Sequence, residues 1–477
     1  MLFDLIVIGS GPAGQRAALQ GAKAGKTVAI VEDKIIGGGC VHNGTLPSKS
    51  FRESVYRWSL GSRGTLGQES ENAITVSKKK QLELPEMGKL LRRRNRVVDE
   101  ESRVVYDQLK RNGVTVFQGR ARLLSQNDVE VESKRGKEKL TGSVIIIGVG
   151  ARPVAPAHLP VDGESVLDSN TILDLKELPK DLVVLGAGII GCEYASMFSM
   201  AGTRVYLVDR RNEILANVDR EIVNHLVERF VAQGVEILLE TEAVKIEKKE
   251  RVGKKAGGVR VHLSNDRVID ADVVLIALGR AGNTENMGLA EAGVELDERG
   301  LIKVDGNYRS TIPNIYAVGD VKGQPALAST SMEEGRIACC HAFQIEAIQM
   351  PTVFPYGIYT IPEISMLGAT EEELVAKKAD FVVGRARYRE LARGQIVGDR
   401  WGLLKLLVDR KTHHILGAHI VGDNAAELIH IAQAVMTFNG DVNYFIRNVF
   451  NYPTLAEAYK TAAFHAVNQI RPKAGRS

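Results

Sequence analysis

Twice along this chain an aliphatic strand runs into a turn with glycines at its first, third and sixth positions, and no other feature limits the fold as much. Leu5-Ile6-Val7-Ile8 leads into Gly9-Ser10-Gly11-Pro12-Ala13-Gly14, a small-residue helix from Arg16 to Ala24, and a second strand from Thr27 to Val31 ending in Glu32. Much later, Leu182-Val183-Val184-Leu185 leads into Gly186-Ala187-Gly188-Ile189-Ile190-Gly191, a helix through Met200, and a strand from Thr203 to Val208 ending in Asp209. In each copy the acid falls 18 residues past the last glycine. The first glycine allows the tight turn, the second lets a pyrophosphate approach backbone at the helix N-terminus, and the third lets helix pack on strand. The acid then takes ribose hydroxyls. One such motif alone is weak evidence; set between strand and helix with its acid in place, each copy reads as a dinucleotide site.

Two dinucleotide sites need several cores, and 477 residues supply about three domains. Lys and Arg number 62 against 58 Asp and Glu, a balance that gives no argument for nucleic acid or a membrane surface. The local basic runs Lys78-Lys79-Lys80 and Arg92-Arg93-Arg94 read as solvated faces. Four cysteines without paired spacing argue against a disulfide scaffold or a CxxC metal site, and with no export signal at Met1-Leu2-Phe3-Asp4 the expected location is the cytoplasm. His413, His414 and His419 lie in a strand-turn-strand where neighbours point to opposite faces, so no metal is expected. At the second site Asp209 favours a free 2′-hydroxyl, whereas Arg210 and Arg211 can pair with a 2′-phosphate; adjacent signals of both kinds suit a site that accepts NAD and NADP in turn, unless the arginines simply face water.

Between the two turns lie a charged helical region from Phe51 to about Leu109 and strands from Val114 to Val131. An apolar strand then ends in Gly148-Val149-Gly150. Residues 60 to 80, rich in Gly, Ser and Lys, read as an excursion. Lys245 to Arg267, around Gly257-Gly258, reads as a hairpin, and Val273 to Gly279-Arg280 as another buried strand and glycine turn. From Val353 onward strands alternate with amphipathic helices.

The stretch Gly37-Gly38-Gly39-Cys40-Val41-His42-Asn43-Gly44-Thr45-Leu46-Pro47-Ser48-Lys49 resembles the redox segment of the flavin-dependent pyridine nucleotide:disulfide oxidoreductases. In that family two Cys separated by four residues precede a Pro-Ser-Lys. The resemblance covers Leu5 to about Asn468 and implies an α/β fold of two Rossmann-like dinucleotide-binding domains, for FAD and NAD(P), plus an α+β C-terminal dimerisation domain that builds a homodimer. The expected division is 1–152 for FAD, 153–280 for NAD(P), 281–348 for a return to the FAD part, and 349–477 for the interface. It implies FAD contacts at Gly9, Gly11, Gly14, Glu32, Gly39, Lys49, Gly150 and Asp320, the last within Ala317-Val318-Gly319-Asp320. It implies NAD(P) contacts at Gly186, Gly188, Gly191, Asp209, Arg210, Arg211 and Gly279. The family more often has Ala-Thr-Gly where this chain has Gly148-Val149-Gly150.

The catalytic positions depart from the family in a consistent way. Thr45 stands where the flavin-side thiol belongs, and a hydroxyl can neither form a disulfide nor relay electrons to one. Near the C-terminus Tyr452, in Asn451-Tyr452-Pro453-Thr454, occupies the position of the family's histidine base, while the orienting acid remains as Glu457. A phenol with a pKa near about 10 is a poor base at neutral pH. The hydride-transfer core is kept: Lys49 matches the lysine near the flavin and Glu193 its carboxylate partner. Cys40 is then a leftover distal thiol, with a depressed-pKa nucleophile as the lesser alternative. Cys192, Cys339 and Cys340 read as packed helical residues.

These substitutions, with Gly191-Cys192-Glu193-Tyr194-Ala195-Ser196 and Gly357 to Ser365, resemble the branch of the family that moves hydride between NADPH and NAD. Its substrates would be NADPH/NADP and NADH/NAD. The alternatives are a dihydrolipoamide dehydrogenase-like disulfide reductase, an oxidase or quinone reductase, and a non-catalytic FAD- and NAD-binding protein.

Overall fold

The computed structural model describes residues 1–64, 85–249, 257–346 and 349–470. Lys78-Lys79-Lys80 and most of the 60–80 excursion lie outside the described residues, as does the tip of the 245–267 hairpin. The chain forms two compact units, one of residues 1–54, 86–177 and 276–350, the other of 55–85, 178–275 and 351–477.

In the first unit the strand Leu2–Ile8 lies between Val28–Glu32 and Gly136–Ile147, parallel to both, with Leu5 opposite Val28 and Val144. These strands read as unbroken aliphatic runs because helices or loops cover both faces of the sheet. Side chains alternate by twos. Leu5, Val7, Ile30 and Ile146 enter one core with the helix Pro12–Lys23, whereas Ile6, Ile8, Val31 and Ile147 enter the other. The strands Arg120–Leu123 and Asp128–Ser133 extend the sheet antiparallel beyond Gly136–Ile147. Ile315–Ala317 then pairs parallel with Ile145, Ile146 and Ile147, so the chain re-enters the first sheet after building much of the second unit. The helix Ala328–Ala342 crosses Pro12–Lys23 so closely that a Cβ on Gly335 would lie 2.0 Å from the Ala13 carbonyl oxygen.

The second unit repeats the strand-turn-helix-strand pattern. Asp181–Leu185 pairs parallel with Arg204–Val208, which pairs with Glu236–Leu238; the helix Ile189–Met200 connects the first two. The hairpin expected over 245–267 is present as Ala243–Lys248 against Val259–Leu263, and Val268–Ala271 adds a third strand. Residues 153–177 and 276–280 fall in the first unit. There Arg280–Gly282 pairs with Ala151–Pro153.

The C-terminal part of the second unit is a five-stranded antiparallel sheet backed by the helices Ala425–Thr437 and Glu457–Ile470. It is tied to the helix Arg220–Ala232 by a buried ion cluster. Lys405 Nζ reaches the two Asp219 oxygens at 2.8 and 2.9 Å, Glu371 at 2.5 Å and Glu221 at 3.1 Å, with Asp219 and Lys405 fully buried. His419 packs beside it, its Nε2 2.8 Å from the Ala369 carbonyl. Three carboxylates make burial of the lysine tolerable, and the lysine in turn holds together acids that otherwise repel one another. Replacing Lys405 with Met should therefore cost about 3–5 kcal/mol of stability, the usual penalty for leaving a buried charge unpaired. Denaturant unfolding of the purified variant measures it, and a loss below about 1 kcal/mol would show the cluster to be dispensable.

Candidate functional site

Each glycine turn is held by its own acid. Glu32 Oε2 accepts from the Ser10 N–H at 2.9 Å and the Ser10 hydroxyl at 2.6 Å, while its Oε1 accepts from the Lys34 N–H at 2.9 Å. Asp209 Oδ2 accepts from the Ala187 N–H at 2.6 Å. Ser10 and Ala187 are the second residues of the two turns, so the same bond recurs in both. Two charge-assisted bonds to backbone at these points fix turns that Gly9 (φ 98°) and Gly186 (φ 105°) make possible.

The spacing of the glycines is matched by their surroundings. A Cβ at Gly14 would sit 1.9 Å from the Gly9 carbonyl oxygen and one at Gly191 1.8 Å from that of Gly186, so neither position can hold a side chain. At Gly11 and Gly188 a Cβ would meet nothing within 4 Å. The third glycines are thus required by packing inside the fold, while the second ones border open space at a helix N-terminus, where a phosphate group fits. Two residues beyond Glu32 a cavity of about 450 Å³ opens, lined among others by Lys34, Ile36, Ser102, Tyr106 and Gln118. Apolar walls, an aromatic ring and hydrogen-bonding groups suit a nucleotide base at this end of the first site. The residues present therefore fit dinucleotides at both turns.

The stretch from Gly37 to Lys49 is built directly onto the first turn. The Ser10 hydroxyl accepts from the Gly37 N–H at 2.9 Å, and a Cβ at Gly38 would lie 2.8 Å from Gly11 Cα. Gly37 and Gly38 both have positive φ, so glycine serves here for backbone geometry and for close approach. A short helix Gly38–His42 carries Cys40, and the helix Thr45–Gly64 begins at Thr45 and carries Lys49. Cys40 and Thr45 thus stand on two successive helices, one on the short helix and the other at the first position of the longer one. Burial pushes the Cys40 thiol up from its ordinary value, and Asp320 and Glu101 add to that against the opposing pull of Thr45 and Lys49. A raised thiol pKa runs against an activated nucleophile at this position. Cys192, Cys339 and Cys340 are buried and free, as their helical settings suggest.

A second loop completes this surface of the first unit. Gly319 (φ 74°) turns the chain so that Asp320 sits 3.8 Å from Arg280 Nε. The turn is held by a pair the motifs do not reveal: Glu334 Oε2 accepts from the Gly319 N–H at 2.7 Å, and Glu334 Oε1 lies 2.9 Å from Lys322 Nζ, both side chains being buried. Burial raises the Glu334 pKa, with Lys322 opposing the shift. The available signal was Glu333-Glu334-Gly335, a pair of acids beside a glycine within a helix. Gly150 (φ 69°) lies close by, its carbonyl accepting from the Asn283 N–H at 3.0 Å. Gly279 accepts from the Val154 N–H at 3.1 Å, within the first unit and apart in sequence from the Gly186 turn.

In the second unit Glu193 is buried and accepts from the Tyr359 N–H at 2.8 Å. Arg211 folds back on Asp209, and Arg210 is exposed. Tyr452 is 75% exposed, and Glu457 contacts the Thr454 N–H at 3.4 Å at the start of its helix. Phe438, Val449 and Phe464 are also exposed on this part of the chain. Among the described residues no helix is long and apolar enough to cross a membrane.

With two such turns, the chain belongs to the pyridine nucleotide-disulphide oxidoreductase family: that family's model matches residues 3–335, and the model of its dimerisation domain matches residues 354–463. Among its relatives, the chain is 44% identical over 473 residues, 98% of each chain, to a protein of Mycobacterium bovis named soluble pyridine nucleotide transhydrogenase. A Yersinia enterocolitica protein of the same name is 41% identical over 474 residues, again 98% of each chain. Similar solved structures include the Cu(II) complex of the HOCl-induced flavoprotein disulfide reductase RclA of Escherichia coli, at TM-score 0.86 and 28% identity over 97% of this chain and 99% of that one. LpdA of Mycobacterium tuberculosis gives TM-score 0.86 and 27% identity over 96% and 99%.

Because Gly188 has ordinary extended backbone and faces open space, valine there should fold normally yet block a phosphate. Calorimetric titration of Gly188→Val with NAD should show affinity reduced roughly tenfold or more at an unchanged melting temperature. Undiminished affinity would remove this turn from the site.

Proposed function

We propose that this protein is a FAD-dependent transhydrogenase that carries hydride between NADPH and NAD. The observation that carries this reading is Thr45, which opens the helix Thr45–Gly64 directly after the short helix that holds Cys40. At the position where the family resemblance calls for the second thiol the chain has a hydroxyl, and a thiol–hydroxyl pair cannot cycle through a disulfide. Bound FAD supplies a two-electron acceptor and donor at one position. The names of the Mycobacterium bovis and Yersinia enterocolitica relatives support the same activity.

The residues divide the work. Gly9, Gly11, Gly14, Glu32, Gly39, Lys49, Gly150 and Asp320 hold FAD, with Ser10 and Glu334 fixing the two loops that present those groups. Lys49 places positive charge beside the ring, where negative charge develops on reduction. Gly186, Gly188, Gly191, Asp209, Arg210 and Arg211 hold the nicotinamide dinucleotide; Gly279, clustering with the first unit, is the weakest member of that set. Glu193 supplies a fixed buried carboxylate for the hydride-transfer core. Tyr452 and Glu457 keep their positions in sequence without an imidazole to move protons, consistent with a reaction that needs no thiol chemistry. The dimerisation domain supports a homodimer, and the exposed Phe438, Val449 and Phe464 give it apolar surface. Four free cysteines agree with a cytoplasmic location.

One site must serve both nicotinamides, so the first product leaves before the second substrate enters. Initial rates at several fixed NAD concentrations should give parallel double-reciprocal lines; intersecting lines would require two sites. Adding NADPH anaerobically to the yellow protein should bleach its absorbance and NAD should restore it, while brisk turnover of a lipoamide substrate would overturn the assignment. Cys40→Ser should keep most of the activity, and Lys49→Met should lose on the order of a hundredfold, the scale of removing one electrostatic stabiliser.

A further inference from the structure

We propose that Arg211 is the specificity switch of the second glycine turn. Chelated to Asp209 it masks the carboxylate and admits a 2′-phosphate; displaced from Asp209 by a ribose diol, it lets the same turn hold a dinucleotide with a free 2′-hydroxyl. The inference rests on the transhydrogenase reading, which needs one site to take NADP(H) and NAD(H) in turn.

The argument is a count of hydrogen-bonding capacity. An ionised carboxylate offers about four lone-pair positions. On Asp209 all are taken: Oδ1 accepts from the Arg211 N–H at 2.9 Å and Nε at 3.0 Å, and Oδ2 accepts from the Ala187 N–H at 2.6 Å and Arg211 Nη2 at 2.8 Å. Burial alone would raise the Asp209 pKa, but these donors outweigh it and hold it below the ordinary carboxylate range, so the group is an anion at neutral pH. Glu32, its counterpart in the first turn, accepts three bonds, two of them from Ser10 and one from Lys34, with no guanidinium among its hydrogen-bond donors in the described residues. The first turn therefore keeps a carboxylate position open for a ribose hydroxyl at all times. The second has none until Arg211 moves.

The geometry makes that movement easy and its alternative useful. Asp209 is buried, whereas the Arg211 side chain is 46% exposed, so releasing the fork moves a guanidinium into water rather than through the core. Arg211 uses Nε and Nη2 on Asp209, which leaves the Nη1 protons without a partner among the described residues. A 2′-phosphate can take these protons while Asp209 stays neutralised, so the repulsion expected between carboxylate and phosphate is cancelled by the group that binds the phosphate. Arg210, exposed beside it, adds positive charge to the same approach. A ribose diol offers no charge to Nη1 and instead competes for the Asp209 oxygens.

The test uses fragments that report the 2′ position without any redox chemistry. Calorimetric titration of the FAD-loaded protein with 5′-AMP and with 2′,5′-ADP gives an affinity ratio for wild type and for each variant. Arg211→Gln should weaken 2′,5′-ADP about tenfold or more while leaving 5′-AMP unchanged or tighter. Asp209→Asn, which frees the fork, should shift the ratio the other way. Arg211→Lys keeps the charge but cannot chelate, so it should recover most of the 2′,5′-ADP affinity. A melting temperature for each variant separates folding from recognition. Equal weakening of both fragments by Arg211→Gln, or no change in their ratio, would overturn the switch and leave Arg211 as a brace for the loop. The transhydrogenase reading fails separately, if wild type binds both fragments yet passes no hydride from NADPH to NAD.

Discussion

The bond from an acid at the end of one strand to the backbone of a glycine turn at the end of its neighbour is the interaction on which this molecule depends. Glu32 holds Ser10 and Asp209 holds Ala187 in the same way. A glycine-rich turn carries the largest entropic cost of ordering of any loop, and a charged acceptor at short range offsets much of it. Once the turn is fixed, the helix N-terminus behind it points its free N–H groups at a defined point in space, and a phosphate can be bound without further rearrangement. In the first unit the same bond does more. The Ser10 hydroxyl passes the constraint on to Gly37, so the segment carrying Cys40, Thr45 and Lys49 is positioned by the turn that binds the dinucleotide.

Against that frame the chemistry changes through very few atoms. The segment that carries two thiols in the family is folded here as two successive helices, with Cys40 on the first and Thr45 opening the second. Threonine in place of the second cysteine removes the disulfide, and Tyr452 in place of the histidine removes the base that serves it, while the dinucleotide turns, the lysine and the buried acids are kept. The fold itself is shared with the flavoprotein disulfide reductase RclA at a TM-score of 0.86, so the difference lies in the site rather than in the scaffold. The rising thiol pKa at Cys40 fits the same logic. A family that needs a thiolate must stabilise it, and burial here does the reverse.

Much of this was legible in one dimension. The two glycine turns, their acids and the unbroken aliphatic strands follow from rules that act over a few residues: φ at glycine, side-chain alternation and helix-terminal N–H groups. The expected strands and helices around them are present, and so is the 245–267 hairpin. What could not be read concerns side chains brought together over long separations. Glu334 reaches Gly319 from the next helix, and Lys405 meets Asp219 across 186 positions. Nothing in the local pattern of these stretches encodes a partner so distant.

Asp209 and Arg211 show where the line falls. The sequence by itself determined that a carboxylate and two guanidinium groups stand at the end of this strand, and it fixed the absence of a second thiol near Cys40, because composition and spacing are enough for both. Only the tertiary structure decided that Arg211 folds back to fill the Asp209 oxygens while Arg210 stays in solvent, since that choice depends on where each side chain's rotamers lead once Ala187 has claimed one oxygen. Residue types set which bonds are available; the fold, by bringing donors within about 3 Å of an acceptor, sets which of them form.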